Sequence, residues 1–403
     1  MKLTGVGLTS SRATFWALFC LLTVYVLFVW HVLIGELPVV MQRFQKVDNG
    51  ALAAKRTLYK KSGILEIWKT SSTEEMCRPK KHVLFVKVPK CGSSTLSSIF
   101  LRYGFRYSLD VALPLNNEFN LNSLLNSLNS SAEKRDIFAS HVTYDVIKQH
   151  KHLIPKNALY ITIIREPLGA FKSFFNFRHK GSDFGIEGED QIRNFFANST
   201  LYSSPASSKF WNRMVRYLGY KPPPSNSSQE AEKAALQYVR LLDREFDFVV
   251  ILEYFEESLI LLRRMLCWAT HDMLYTQQKP GSSFSEYYKS SHTANPVVVQ
   301  KHRELSYADY ILYDYFKLKT EKLIESQDDD FFNEVRNFKT VNGKVTRFCQ
   351  NKTARNRDET LKMAPTRWSS GFTLRREYCH LLAIDANRYS ILLKKGKFLE
   401  FRL

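Results

Sequence analysis

Two segments combine basic and hydroxyl side chains in an order that suits the binding of a phosphate. The first reads VKVPKCGSSTL and covers residues 86–96. The free N–H groups and the positive dipole end of a helix start attract anions, and small polar residues leave them accessible. An ordinary strand-to-helix turn with a serine cap would have a similar sequence. The candidate phosphate-binding residues are Lys90, Cys91, Gly92, Ser93, Ser94 and Thr95.

The second segment, ITIIREPLGAFKSFF at 161–175, has Arg165 at the end of an apolar run and Ser173 eight residues later. A guanidinium binds phosphate oxygens with two parallel hydrogen bonds, and a helix hydroxyl can add another. The alternative is structural, since arginines at sheet edges and serines on helix faces are common. The neighbouring phenylalanines are predicted to belong to the core: Phe171, Phe174, Phe175 and Phe177.

Both segments lie in a strand, turn and helix pattern. The run HVLFVKVP at 82–89 is rich in β-branched residues, and apolar residues then recur at helical intervals in 95–105. The pattern repeats at ALYITIIR, residues 158–165, where Pro167 suits the first helical turn. A further strand is predicted at 246–255, followed by a helix at 256–268. These units predict an α/β fold with a parallel sheet flanked by helices.

The N-terminal region contains an uncharged, largely apolar run at 13–34. As a helix it would rise about 33 Å, close to the hydrocarbon thickness of a bilayer. Glu36, Leu37 and Pro38 follow it in place of a small-residue cleavage site, which favours an uncleaved signal anchor over a cleaved signal peptide. We therefore predict a cytoplasmic tail at 1–12, a transmembrane anchor at 13–34, a stem at 35–80 and a lumenal domain at 81–403.

The composition agrees with a folded body and an anionic partner. Hydrophobic residues make up 44% of the 403 residues, which excludes a disordered chain. The formal net charge of +19 suits several anions, and a membrane anchor makes nucleic acid an improbable one. The lumenal body has four glycosylation sequons, at Asn129, Asn198, Asn226 and Asn351.

The cysteines form no CxxC pair, which favours disulfides in an oxidising lumen over a zinc site. Five of the six lie beyond the apolar run, so one thiol should stay free.

Together, the two phosphate-binding segments resemble those of the Golgi sulfotransferases. The stretch LEYFEESLILLRRMLCWATHDMLYTQQ at 252–278 is similar to the galactose 3-O-sulfotransferases in particular. The resemblance implies a P-loop-like sulfotransferase fold and the sulfate donor PAPS (3′-phosphoadenosine 5′-phosphosulfate). The loop at 90–95 would hold the 5′-phosphosulfate, with Lys90 neutralising the leaving group, and Arg165 with Ser173 would hold the 3′-phosphate.

In such a loop Cys91 should stay reduced. That leaves two disulfides, in any of three pairings, for Cys77, Cys267, Cys349 and Cys379.

His141 is the candidate general base. It stands in FASHVTY, which resembles the stretch that carries the catalytic histidine of the heparan 2-O-sulfotransferases. A sugar hydroxyl is a poor nucleophile near neutral pH, and an imidazole can accept its proton as sulfur is attacked. His271 and His292 are weaker candidates.

The resemblance implies a single-pass type II Golgi enzyme that sulfates the 3-hydroxyl of terminal β-galactose in glycolipids or glycoprotein glycans without a metal. Pro89 stands where several galactose 3-O-sulfotransferases have a histidine, which leaves another sugar, such as a uronic acid, open as acceptor. The runner-up is a Golgi glycosyltransferase that holds a metal nucleotide-sugar with the DxD at 328–330. A membrane-tethered lectin or heparin-binding protein is a third possibility.

Overall fold

The computed structural model describes residues 77–113, 135–223, 227–276, 295–350, 359–384 and 386–394. They belong to a compact unit that runs from Thr73 to Leu403. The predicted anchor and most of the predicted stem lie outside the described residues, as do His292 and the sequons at Asn129, Asn226 and Asn351. In the described part of the chain, no helix is both long enough and apolar enough to cross a membrane.

The predicted parallel sheet is confirmed. Its strands are β1 (Val83–Val86), β2 (Ile137–Phe138), β3 (Leu159–Ile164) and β4 (Phe248–Ile251), in the order β2-β1-β3-β4. All neighbours run parallel, with Val83 opposite Leu159 and Ile164 opposite Ile251. Strands buried on both faces need continuous apolar sequence, as in VLFV and FVVI. Since β1 and β3 are neighbours, the turns that follow them lie at the same sheet edge.

Helices cover the sheet. The first half of the fold contains α1 (Ser93–Arg106), α2 (Tyr144–Gln149), α3 (Pro167–Phe177), α4 (Lys180–Asp183), α5 (Gln191–Ala197), α6 (Ser199–Tyr202), α7 (Pro205–Ser208), α8 (Arg213–Tyr217) and α9 (Ser228–Glu245). The second half contains α10 (Phe255–Leu266), α11 (Pro296–Leu305), α12 (Tyr307–Glu325), α13 (Asp329–Gln350), α14 (Arg376–Ala383) and α15 (Ala386–Lys394). Strands β5 (Thr360–Met363) and β6 (Phe372–Arg375) form a separate antiparallel hairpin. The helix predicted at 256–268 corresponds to α10.

An aromatic cluster joins α3 to the helices that follow it. Phe171, Phe174 and Phe175 are buried there, as predicted, and pack with Phe195 and Trp211. The core prediction is wrong for the fourth residue, Phe177, whose side chain is 51% exposed. It lies at the last position of α3, beyond the cluster, where its ring contacts the ammonium of Lys90 instead.

Two disulfides tie distant parts of the body together. Cys77 bonds to Cys267 and Cys349 bonds to Cys379, while Cys91 is buried and free, so the predicted division of the thiols is confirmed. The first bond holds residues 77–80, assigned to the stem by sequence, against α10. There Lys80 also donates its N–H to the Leu266 carbonyl at 2.9 Å.

Candidate active site

The loop after β1 ends in a helix N-terminus that no side chain of the described residues caps. Lys90 and Gly92 both adopt left-handed backbone conformations, with φ of 69° and 75°. A Cβ at Gly92 would lie 2.5 Å from Cδ1 of Leu252, and together with the positive φ this favours glycine at the position. The first N–H groups of a helix lack partners one turn before them in the helix. Here the Thr95 N–H donates to the Gly92 carbonyl at 3.1 Å, and the N–H groups before it remain available to an anion.

The polar residues of this loop differ in accessibility. Ser94 is exposed, whereas Ser93 and Thr95 are buried near the start of α1. The Cys91 thiol points into the core and donates to the Pro89 carbonyl at 3.6 Å. Because this burial raises the pKa of Cys91, the thiol stays protonated, and the residue can offer a ligand only its backbone amide.

The turn after β3 places Arg165 beside the first loop. Arg165 is buried, and its Nη1 donates to the Lys90 carbonyl at 3.5 Å. A Cβ at Gly169 would lie 3.1 Å from Arg165 Nε, so the guanidinium lies directly against α3. Ser173 is four residues beyond Gly169 and therefore on the same face of α3, where it is partly buried. Arg165, Ser173 and the uncapped start of α1 thus belong to neighbouring elements at one sheet edge, which we call the candidate cleft.

His141 reaches this cleft from the segment after β2. Its Nδ1–H donates to the carbonyl of Lys87 at 3.0 Å. A carbonyl only accepts, so the neutral ring carries its proton on Nδ1 and has its lone pair on Nε2. The ring is accessible at the cleft mouth, yet the protein around it removes hydrating water. Together with the positive charge of Lys87, this lowers the pKa of His141 to about 4.

Three residues at this cleft were not predicted. Lys87 is buried directly after β1, and its charge acts on His141. Tyr217 of α8 presents its ring edge-on to His141, with centroids 6.4 Å apart, and Arg213 of the same helix stacks 3.7 Å above the Phe174 ring. A lysine inside the apolar run HVLFVKVP was a usable signal, but the short helix α8 has no sequence pattern that points to a site.

A carboxylate from β4 supports the second turn. Glu253 follows this strand, and its Oε1 accepts the N–H of Glu166 at 3.0 Å. Burial raises the pKa of Glu253, while the nearby Arg165 favours its ionised form. Glu253 therefore helps to hold the backbone that carries Arg165.

Other predicted candidates lie elsewhere. His271 packs against Phe372 of the hairpin, with ring centroids 5.6 Å apart, and burial lowers its pKa to about 3. In the DxD, Asp328 accepts the N–H of Phe331, and Asp330 accepts from Trp368 Nε1 at 3.0 Å and pairs with Arg367. These contacts give the two aspartates structural roles at the start of α13.

A family model and several known proteins match the sequence of this chain. A family model described as galactose-3-O-sulfotransferase matches residues 37–367. The human galactosylceramide sulfotransferase is 29% identical over 218 residues, which cover 49% of this chain and 48% of that protein. The mouse galactose-3-O-sulfotransferase 3 is 28% identical over 243 residues, covering 58% of this chain and 55% of that protein.

The chain thus spans about half the length of the curated relatives that it matches. No solved structure matches it. The family model, in contrast, covers both strand–turn–helix units, the His141 segment and the stretch at 252–278. The chain belongs to the galactose 3-O-sulfotransferase family.

Proposed function

We propose that this protein is a PAPS-dependent Golgi sulfotransferase that transfers sulfate to the 3-hydroxyl of terminal β-galactose. The observation that carries the proposal is the meeting of four groups at one sheet edge: the uncapped start of α1, Lys90, Arg165 and His141. Family membership supports galactose as the acceptor.

The residues at the cleft fit the two phosphate positions of PAPS. The free N–H groups at the start of α1, with the Ser94 hydroxyl and Lys90, suit the 5′-phosphosulfate. The Arg165 guanidinium lies against the face of α3 that carries Ser173, and these two side chains suit the 3′-phosphate. When bound, this donor supplies a sulfonyl group joined to a phosphate leaving group.

The roles of the protein groups follow from their chemistry. His141 Nε2 accepts the proton of the acceptor hydroxyl as that oxygen bonds to sulfur. The bond between sulfur and the phosphate oxygen breaks on the opposite side, and its electron pair stays on that oxygen. Lys90 and the α1 amides neutralise this charge, and the scheme is a single in-line displacement.

The proposed location is the Golgi lumen, with residues 13–34 as a type II anchor and 35–80 as the stem. Two disulfides suit an oxidising compartment. Asn198 of the sequon at 198–200 is exposed at the start of α6, where a glycan could be attached.

The test is a sulfate-transfer assay with the purified full-length chain. Labelled PAPS is offered with a panel of β-galactosides and uronic-acid glycans, with and without a chelator. We expect chelator-insensitive labelling of galactose O3, located by NMR of the product. His141→Ala should abolish turnover and preserve binding of adenosine 3′,5′-bisphosphate. Metal-dependent use of a sugar nucleotide, with no sulfate transfer to any acceptor, would overturn the proposal.

A further inference from the structure

Phe177 is a large apolar residue exposed at the edge of the candidate site. Its side chain is 51% exposed, although Phe171, Phe174 and Phe175 of the same helix are buried. The Lys90 ammonium lies 3.7 Å from its ring centroid. An exposed aromatic ring beside a catalytic group is typical of a ligand-binding surface.

The position of Phe177 on α3 relates it to the donor site. Gly169, Ser173 and Phe177 recur every four residues and so share one helix face. The Arg165 guanidinium lies against this face at Gly169, and the Lys90 ammonium lies against it at Phe177. The face therefore runs from the proposed 3′-phosphate position to the proposed leaving-group position, and Phe177 is at the reacting end.

We propose that Phe177 is an acceptor-binding residue whose ring packs against the apolar face of the galactose that receives sulfate. This inference rests on the proposed function. The acceptor hydroxyl must lie in line with sulfur, on the side away from the bond that breaks. Lys90 serves that breaking bond, and sulfur is bonded directly to the oxygen that leaves. The ring that Lys90 contacts therefore lies beside the reacting centre that the acceptor sugar must approach.

The chemistry of galactose suits this ring. In a β-galactopyranose the axial 4-hydroxyl lies on one side, which leaves the C–H groups at C3, C4 and C5 together on the other. Such polarised C–H groups are attracted to the negative face of an aromatic ring. An equatorial 4-hydroxyl, as in glucose or glucuronic acid, interrupts that apolar surface. Phe177 thus favours galactose over sugars with the other configuration at C4.

The contact with Lys90 also implies that the donor binds before the galactose acceptor. Without donor, the ammonium covers the ring through a cation–π contact. A phosphate offers this ammonium a stronger, charge-assisted partner. Binding of the donor or its desulfated product therefore draws Lys90 from the ring and uncovers the surface for galactose.

The experiment compares Phe177→Leu, which keeps apolar volume without a ring, with Phe177→Tyr, which keeps the ring. Lactose is the acceptor probe. We expect Phe177→Leu to raise the KM for lactose about tenfold while the KM for PAPS changes less than about twofold. Phe177→Tyr should stay close to wild type. Phe332→Leu is the matched control, since Phe332 is also exposed but lies on α13.

A second measurement does not depend on turnover. In saturation-transfer NMR, the galactose H3, H4 and H5 of lactose should be saturated by the wild-type protein only when adenosine 3′,5′-bisphosphate is present. The Phe177→Leu variant should lose this signal. An unchanged lactose KM in Phe177→Leu, an equal rise in the KM for PAPS, or no signal from the wild type would overturn the inference. Saturation of galactose without any sulfate transfer would instead overturn the proposed function alone.

Discussion

The two strand–turn–helix units of the sheet differ in whether a side chain caps the N-terminus of the helix. After β3, Glu166 caps α3 by accepting the N–H groups of Leu168 and Gly169 at 2.9 and 2.5 Å, and Pro167 occupies the first turn. After β1, Gly92 begins α1 with no side-chain cap and no acidic residue in the first turn. The start of α3 is therefore occupied by the carboxylate of Glu166, whereas the start of α1 is free for a phosphate.

This difference predicts different roles for the two units: the β3 unit binds the donor, and the β1 unit also takes part in the chemistry. The capped unit can offer the donor only side chains, those of Arg165 and Ser173. The uncapped unit offers backbone amides and Lys90, and it holds His141 through the Lys87 carbonyl. Removal of the Lys90 ammonium from the β1 unit should therefore lower kcat, whereas substitution of Arg165 or Glu166 in the β3 unit should change donor affinity or folding stability.

Lys90→Ala tests the β1 unit with the largest expected effect. Loss of the ammonium should lower kcat by about 10²- to 10³-fold, because the charge on the leaving phosphate oxygen would lose its cationic partner and keep only the α1 amides. Affinity for adenosine 3′,5′-bisphosphate, measured by calorimetry, should fall less. Lys156→Ala, at an exposed turn position, is the control. An unchanged kcat would remove Lys90 from its role.

Ser94→Asp places a carboxylate at the start of α1, like the one that caps α3. A carboxylate there should weaken binding of adenosine 3′,5′-bisphosphate by about 100-fold, because it repels the 5′-phosphate and replaces a hydroxyl donor. The same change should leave the free energy of unfolding unchanged or raise it by about 0.5 kcal/mol, since Ser94 is exposed and an acidic group stabilises a helix N-terminus. Retained affinity with increased stability would show that the phosphate binds elsewhere.

Arg165→Lys tests the assignment of the 3′-phosphate. The variant keeps the charge and loses the guanidinium fork, so affinity for adenosine 3′,5′-bisphosphate should fall about tenfold. Affinity for adenosine 5′-phosphate, which lacks the 3′-phosphate, should change less than about twofold. Equal losses for both nucleotides would assign Arg165 to the 5′ side instead.

Glu166→Gln tests the cap at the start of α3. The amide is a weaker acceptor than the carboxylate for the Leu168 and Gly169 N–H groups, so the free energy of unfolding should fall by about 1 kcal/mol. Chemical denaturation measures this change. The kcat should stay within about twofold of wild type, because the capped unit makes no contact with the reacting atoms in our scheme. A large fall in kcat at normal stability would contradict the division between the two units.

The sheet could be predicted because its strands are continuous apolar runs. Buried parallel strands such as VLFV and FVVI contrast sharply with their flanking turns, and Pro167 marks a helix start. The exposure of Phe177 could not be predicted in this way. Helical periodicity shows which face of α3 carries an aromatic residue. Whether other side chains bury that residue depends on how far the core cluster extends along the helix, which the periodicity does not show.

The candidate site could be predicted where its residues lie next to the strands. Lys90 and Arg165 follow β1 and β3, so local sequence revealed them. Tyr217 and Arg213 come from α8, far along the chain, and they reach the cleft only through long-range packing. No alternation or spacing in the sequence carries that information.

The pH dependence of His141 tests the smallest expected effect in the β1 unit. A general base works as the neutral ring, so kcat/KM should be flat above the pKa and fall as the pH drops through about 4. The charge of Lys87 contributes to this low pKa, so Lys87→Gln should move the acid limb upward by less than about one pH unit, and Lys87→Arg should leave it in place. The buried His302 has a folded pKa of about 3, below the unfolded value, so the fold also loses stability as the pH falls below about 6.5. Circular dichroism at each pH separates unfolding from titration, and an acid limb that stays fixed in folded Lys87→Gln would show that the charge of Lys87 does not lower the pKa of the base.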